Sequence, residues 1–246
     1  MRIDEMTWMQ VEAYLERDDR CVLPLGSTEQ HAYISLATDS ILSERVSLDA
    51  AAPLGVPVFP VVSYGITPYF MAYPGTVTLS LATYERVLGE ILASLREHGF
   101  RRILVVNGHG GNSPARPAVE AWAEGREGVE LRWHDWWKAP LVRAAIDALD
   151  SDASHASWME TFPWTRIAGV TPPAAHKNPV DLSDREELTP GSFRDILGDG
   201  SFGGDYLRSD NEMTAIWKVA VGEAREILTR DWAPRPGRAA DGEDRA

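Results

Sequence analysis

A single cysteine, Cys21, is present among 246 residues. No disulfide can form within such a chain. Cys21 sits in the apolar run Cys21 to Leu25 and reads as a buried thiol. Long hydrophobic runs are missing too: nothing approaches the ~18 apolar residues of a membrane-spanning helix. The first residues, Met1 to Glu5, lack the apolar centre of a signal peptide, and the cytoplasm is the expected location. Cationic side chains are few, 24 Lys and Arg against 37 Asp and Glu, for a formal net charge of −13. That balance argues against nucleic acid or an anionic membrane as a partner. A neutral or cationic small molecule stays open as substrate.

What is present is enough for a sizeable core, with 44 % hydrophobic residues. The nine tryptophans are expected in the core or at a subunit interface. Short apolar runs alternate with helical patterns. Strands are expected over Arg20–Leu25, Val56–Val62, Thr76–Leu81, Arg102–Val106 and Val129–Trp133. Helices are expected over Ser40–Ala52, Thr83–His98, about Ser113–Glu124 and Asn211–Thr229. The alternation predicts an α/β fold, a three-layer α/β/α sandwich on a mainly parallel sheet. A single domain over 1–232 is expected, with a long ordered loop or lid over about Pro172–Asn211 and a disordered tail over 233–246.

Two polar loops follow core strands. The first carries Glu29, His31 and Asp39. In extended chain, residues i and i+2 point the same way, so Glu29 and His31 can face one site. Carboxylate with imidazole suits Zn²⁺, Mn²⁺ or Fe²⁺. Asp39 could equally be the N-cap of the helix that follows. The second loop, Asn107 to Asn112, places His109 among three glycines that allow close ligand approach. A turn that binds an anion, or nothing, is the alternative there. Ligands of such sheets collect at the carboxyl ends of the strands, where both loops lie. A third segment, Ser154 to Thr161, holds His155 and Glu160 in apolar surroundings.

Leu23-Pro-Leu-Gly-Ser-Thr-Glu-Gln-His31 with Asp39, Asn107-Gly-His-Gly-Gly-Asn112, Tyr73-Pro-Gly-Thr76 and His155 to Thr161 occur in this order. Together they resemble the signatures of the creatininase (creatinine amidohydrolase) family, over roughly residues 5 to 230. The resemblance implies two divalent ions per subunit. Glu29 and His109 would bind one, His31 the other, and Asp39 would bridge them, with Glu160 the remaining ligand. It further implies His155 as the proton-handling residue, Tyr73, Thr76, Gly110 and Trp158 as substrate contacts, and a homo-oligomer, a hexamer in the family. Two dications against Glu29, Asp39 and Glu160 leave one positive charge, which a hydroxide would balance.

The chain departs from the pattern at several places. Gly111 stands where some members carry a glutamate, which raises the weight on Glu160 and counts against creatinine itself. Ala32 follows His31 where the family usually has glycine, residues 68–71 lack a histidine, and Phe162 replaces a small residue. These changes imply the same hydrolytic machinery acting on a different substrate. Amide hydrolysis of a small, cyclic or formylated substrate is the first expectation. Hydrolytic C–C opening of a cyclic keto-polyol such as an inosose is the second, and a relative without turnover the third.

Overall fold

The computed structural model describes residues 1–184, 187–230 and 232. The expected tail over 233–246 lies outside the described residues. In chain order the elements are α1 (Trp8–Leu15), β1 (Arg20–Leu25), α2 (Thr38–Ala51), α3 (Leu81–Glu97), β2 (Arg102–Asn107), α4 (Arg116–Glu124), β3 (Glu130–Asp135), α5 (Pro140–Asp147), α6 (Pro190–Leu197) and α7 (Asp210–Thr229).

The three strands pair in parallel in the order β1-β2-β3, with Leu25, Asn107 and Asp135 side by side at their carboxyl ends. Alternation along the strands sorts their side chains to two faces. Val22, Leu104 and Val106 pack with Leu42 and Val46 of α2, Val142 and Ile146 of α5, and the apolar stripe of α7 from Met213 to Leu228. Cys21, Leu23, Leu25, Ile103 and Val105 pack with Tyr14 of α1, Leu88 and Leu92 of α3, and Val119 of α4. Both sheet faces are therefore covered, which is why β1 and β2 read as continuous apolar runs rather than alternating ones. The result is the three-layer α/β/α arrangement.

Two expected strands are not strands. Residues 56–62 run beside β1, and Val22 and Phe59 exchange backbone hydrogen bonds across that edge with Pro57 and Val22, at 3.0 and 2.9 Å. Pro57 and Pro60 have no N–H to donate, and only isolated bridges form, at Val58 and Val62. Residues 76–81 likewise make single bridges, Val77 to Thr28 and Thr78 to Gly65, before α3 begins. The expected loop over 172–211 contains α6, started by the Thr189 hydroxyl, which accepts from Ser192 N–H, and by Pro190 in the first turn. α6 packs on the turn Pro68–Phe70 through Phe70, Tyr73, Phe193 and Leu197, a small third cluster outside the two main layers. The expected helix from Ser113 opens instead as a 3-10 turn over Gly110–Ala115. Among the described residues, no helix is long and apolar enough to cross a membrane.

Candidate metal centre

Because β1 and β2 end in register, the loops that follow them leave the sheet together. The β2 loop is tied down by its two asparagines. Asn107 Nδ2 donates to His109 O and to Asp135 Oδ1, at 2.8 and 2.7 Å. Asn112 Nδ2 donates to Gly26 O and Asn107 Oδ1, both at 3.1 Å, and its Oδ1 accepts from Ile66 N–H. Three loops are thereby fixed to one another. Gly108 permits the approach of α2: a Cβ there would fall 2.4 Å from Asp39 O.

Asp39 is the second residue of α2 and not its N-cap, which is Ala37. Its side chain turns toward the β1 and β2 loops. Oδ1 lies 3.2 Å from His31 Nε2, and Oδ2 lies 3.1 Å from His109 Nδ1. Glu160 Oε2 is 3.8 Å from His31 Nε2, and Glu29 Oε2 is 3.3 Å from His109 Nε2. All five residues are buried, at 8 % exposure or less. Three groups result, Glu29/Asp39/His109, His31/Asp39/Glu160 and Glu29/His31/His155, each with ligand atoms within 4.8 Å of one another, and Asp39 belongs to the first two.

The outer nitrogens of both imidazoles are anchored on backbone carbonyls. His31 Nδ1 lies 3.2 Å from Glu29 O, and His109 Nε2 lies 3.0 Å from Ile66 O. Donating there leaves the inner nitrogens, His31 Nε2 and His109 Nδ1, facing Asp39 and able to ligate a metal that displaces their proton, the tautomers a metal needs. The Asp39 Oδ2 contact tests the fit of a cation. Oδ2 is buried and accepts no hydrogen bond despite lying 3.1 Å from His109 Nδ1. Two donor atoms at that separation without a hydrogen bond suit neighbouring ligands of one ion. Three carboxylates buried together are costly without cations to compensate them. The donor set therefore fits divalent metal.

Protonation of the metal-free site follows from its geometry. Burial works against a charge on His31, but Asp39, Glu160 and Glu29 outweigh it and raise its pKa to about 10. His109 is raised well above its usual value, burial again being outweighed, by Glu29 and Asp39. Burial raises Glu160 to about 7, against the attraction of His31. Asp39 is lowered, because the two imidazoles outweigh its burial.

His155 joins the centre from the third segment. Its Nδ1 is 3.9 Å from Glu29 Oε1, and its ring centroid is 4.4 Å from that of His31. Phe70 stacks on it at 4.8 Å, with Phe202 at 4.8 Å on a tilted contact. Burial and the neighbouring His31 hold its pKa well below the usual histidine value. The residues that follow His31 and His155, Ala32 and Ala156, have φ of 48° and 58°. Ala156 N–H donates to Glu160 Oε2 at 2.7 Å, so the strained turn aims the carboxylate.

The other expected contacts are placed less uniformly. Thr76 Oγ1 accepts from Gln30 N–H at 3.1 Å, the Tyr73 hydroxyl donates to Gly198 O at 3.3 Å, and Gly110 is exposed beside Trp137. Trp158 needs correction as a substrate contact. It is fully buried in the core of α2, α5 and α7, with its indole N–H donating to Asp150 Oδ2 at 2.9 Å. Its ring has no face left for a ligand. At Gly111 a Cβ would fall 2.0 Å from Ile66 O and 2.4 Å from His109 Nε2. A glutamate cannot be accommodated there without moving the His109 anchor.

Sequence reasoning missed Ser27, whose hydroxyl donates to Glu29 Oε2 at 3.0 Å, although it lies inside the first motif. It also missed the Ile66 carbonyl, which has no sequence signal. His176 lies with Asp150 and Asp205 in a further, partly exposed group. Asp205 and Asp152 engage its two nitrogens at 2.9 and 3.2 Å.

Known proteins share parts of this sequence and its fold. A creatinine amidohydrolase of Pseudomonas putida is 34 % identical over 119 residues, 45 % of each chain. A mycofactocin precursor peptide peptidase of Mycolicibacterium smegmatis is 36 % identical over 141 residues, 54 % of this chain and 53 % of the relative. A 3-dehydro-scyllo-inosose hydrolase of Thermotoga maritima is 32 % identical over 107 residues, 43 % of this chain and 34 % of the relative. The match thus spans about half or less of each of these relatives. Among solved structures, a manganese creatininase superposes with a TM-score of 0.73 at 22 % identity, covering 92 % of this chain and 96 % of the other. A creatininase variant of Zn–Zn type superposes at 0.71 and 23 % with the same coverage. These two likenesses establish the shared fold. The family model described as creatinine amidohydrolase matches residues 4–228, nearly the whole chain. On that match, and with the α/β/α fold in common, the chain belongs to the creatininase family.

Proposed function

We propose that the chain is a metal-dependent hydrolase holding two divalent ions, zinc, manganese or iron. One would sit on Glu29, Asp39 and His109, the other on His31, Asp39 and Glu160. The reaction is hydrolysis of an amide C–N bond in a small polar substrate. Asp39 carries the reading: its two oxygens face two different imidazoles, and it is common to both ligand groups. Glu160 takes the part of the carboxylate that Gly111 cannot supply.

Bound there, divalent ions polarise a carbonyl and lower the pKa of water from ~15.7 toward ~7. The chain supplies the rest. Ile66 O and Glu29 O hold the two imidazoles in the ligating tautomer. Phe70 and Phe202 keep water from the flanks of His155. His155 hydrogen-bonds the departing group as that group takes up the proton released by the attacking water, a proton-handling role of the general acid–base kind worth ~10²–10⁴ in rate. Tyr73, Thr76 and Gly110 are assigned to the substrate side.

The amidohydrolase and the peptidase among the relatives support C–N cleavage. The inosose hydrolase supports a second reading, C–C opening of a cyclic keto-polyol. Zinc- and manganese-loaded protein assayed against cyclic amides, formamides, short peptides and cyclic keto-polyols decides between them. Turnover of amides with release of an amine is expected. Turnover of the ketones alone replaces the first reading with the second, and turnover of neither by fully loaded protein overturns both. A homo-oligomer belongs to the same proposal and is read by light scattering.

A further inference from the structure

The Gln30 side chain joins three parts of the molecule. Its Oε1 accepts from Ala32 N–H at 3.1 Å, and its Nε2 donates to Gly200 O at 3.0 Å. These partners fix the amide orientation, because a backbone N–H needs the oxygen and a backbone carbonyl needs the nitrogen. The remaining N–H of Nε2 then faces His155 Nε2 at 2.9 Å. A donor that close requires a lone pair on His155 Nε2; a proton there would oppose the amide N–H. Gln30 O, at 3.2 Å, would favour the opposite tautomer, but its contact is the longer one. With a lone pair on Nε2 facing the amide, the ring's proton is left to Nδ1, the nitrogen 3.9 Å from Glu29 Oε1 at the metal centre.

We propose that Gln30 is a positioning residue that locks His155 in its Nδ1–H tautomer, so that the resting ring presents a hydrogen-bond donor to the reacting centre. Gly200 completes the lock. Its φ is +102°, and a Cβ there would fall 1.8 Å from Gln30 Oε1, so the Gly198–Gly204 segment reaches Gln30 only with glycine at 200. That segment also holds the His155 backbone, through Phe202 N–H donating to His155 O at 3.1 Å. In this state His155 hydrogen-bonds the substrate oxygen or the departing group and cannot take a proton at Nδ1. The inference deepens the reading of His155 as a proton-handling group and rests on it for its link to turnover. The tautomer itself is measured independently of any substrate.

The test uses protein labelled with ¹⁵N at histidine, both zinc-loaded and metal-stripped, and long-range ¹H–¹⁵N correlation spectra. The His155 signals are identified by their absence in His155→Gln. The wild type is expected to show a pyrrole-type Nδ1 and a pyridine-type Nε2. Gln30→Glu places a carboxylate beside Nε2 and should draw the proton there, reversing the two shifts. Gly200→Ala should do the same by displacing Gln30, and Gln30→Ala by removing it. If one variant fails to fold, the others carry the same readout. A protonated Nε2 in the wild type, or an unchanged pattern in every folded variant, overturns the proposal. A reversed pattern with kcat unchanged supports the lock and instead removes His155 from the chemistry proposed above.

Discussion

Gly111→Ala adds one carbon where the chain has no room. The new Cβ would lie 2.0 Å from Ile66 O, 2.4 Å from His109 Nε2 and 3.0 Å from the Tyr69 hydroxyl, against 3.4–4 Å for ordinary contact. The first two atoms are the hydrogen-bonded pair, 3.0 Å apart, that orients His109. Relief requires a backbone carbonyl or a ligand ring to move by on the order of 1 Å, and that breaks the bond between them. Overpacking costs about 1–3 kcal/mol, and the lost hydrogen bond about 1 kcal/mol more. At about 2–4 °C per kcal/mol for a chain of this size, Tm should fall by roughly 4–16 °C. Loss of a partner that orients a ligand should weaken metal binding by about 10–100-fold. Gly111→Glu meets the same wall and should lose metal in the same way. Gly89→Ala in α3 is the control: a Cβ there meets nothing within 4 Å, and the helix should gain roughly 0.5–1 kcal/mol. Thermal melts of metal-free protein and zinc competition against a chelator read both effects. A Gly111→Ala protein melting within about 1 °C of wild type, with zinc affinity unchanged, would refute the packing argument.

Three further outcomes are expected. Asp39→Ala should lose more metal and more activity than Glu160→Gln, because Asp39 faces both imidazoles while glutamine keeps a neutral oxygen beside His31; the reverse order in elemental analysis and kcat removes the bridging role. His155→Ala should lower kcat by about 10²–10⁴ with metal content near wild type, whereas loss of one ion would make His155 a ligand. Zinc affinity of the metal-free protein should rise with pH. His31, with its pKa raised to about 10, carries a proton at neutral pH that the metal must displace, and Glu160, raised to about 7, adds a second competitor below neutrality. The competition is strongest at low pH and fades as pH climbs through about 10, so chelator competition between pH 6 and 9 that gives a flat affinity contradicts the assignment.

Much of the fold was legible because β1 and β2 are apolar on both faces, a pattern that only a sheet covered on both sides explains. α3 announced itself by its apolar stripe and by Gly99 after its end, which has φ of +108°. Residues 56–62 misled because β-type composition says nothing of the missing N–H groups at Pro57 and Pro60. α6 was hidden by glycines and acidic residues nearby, although Thr189-Pro190 is a helix-start signal. At the site, spacing alone brought Glu29 and His31 together, but it left Asp39 open between cap and ligand. The tertiary approach of α2 to the two loops decided that its carboxylate faces the imidazoles. Ile66 acts through its carbonyl, which any residue would offer, and Trp158 lies near the motif in sequence but belongs to the core. Neither fact could be read before the chain was folded.

The central claim is a pair of divalent ions sharing Asp39, and metal stoichiometry with the inter-metal distance tests it most directly. Protein reconstituted with zinc, freed of loosely held metal and analysed by elemental mass spectrometry and X-ray anomalous scattering should hold two ions per chain. They should lie about 3.5–4 Å apart, with one oxygen of Asp39 on each. Less than about 0.2 equivalents of any transition metal after reconstitution, far below the two a dinuclear site requires, would contradict the account, as would two ions with Asp39 on neither.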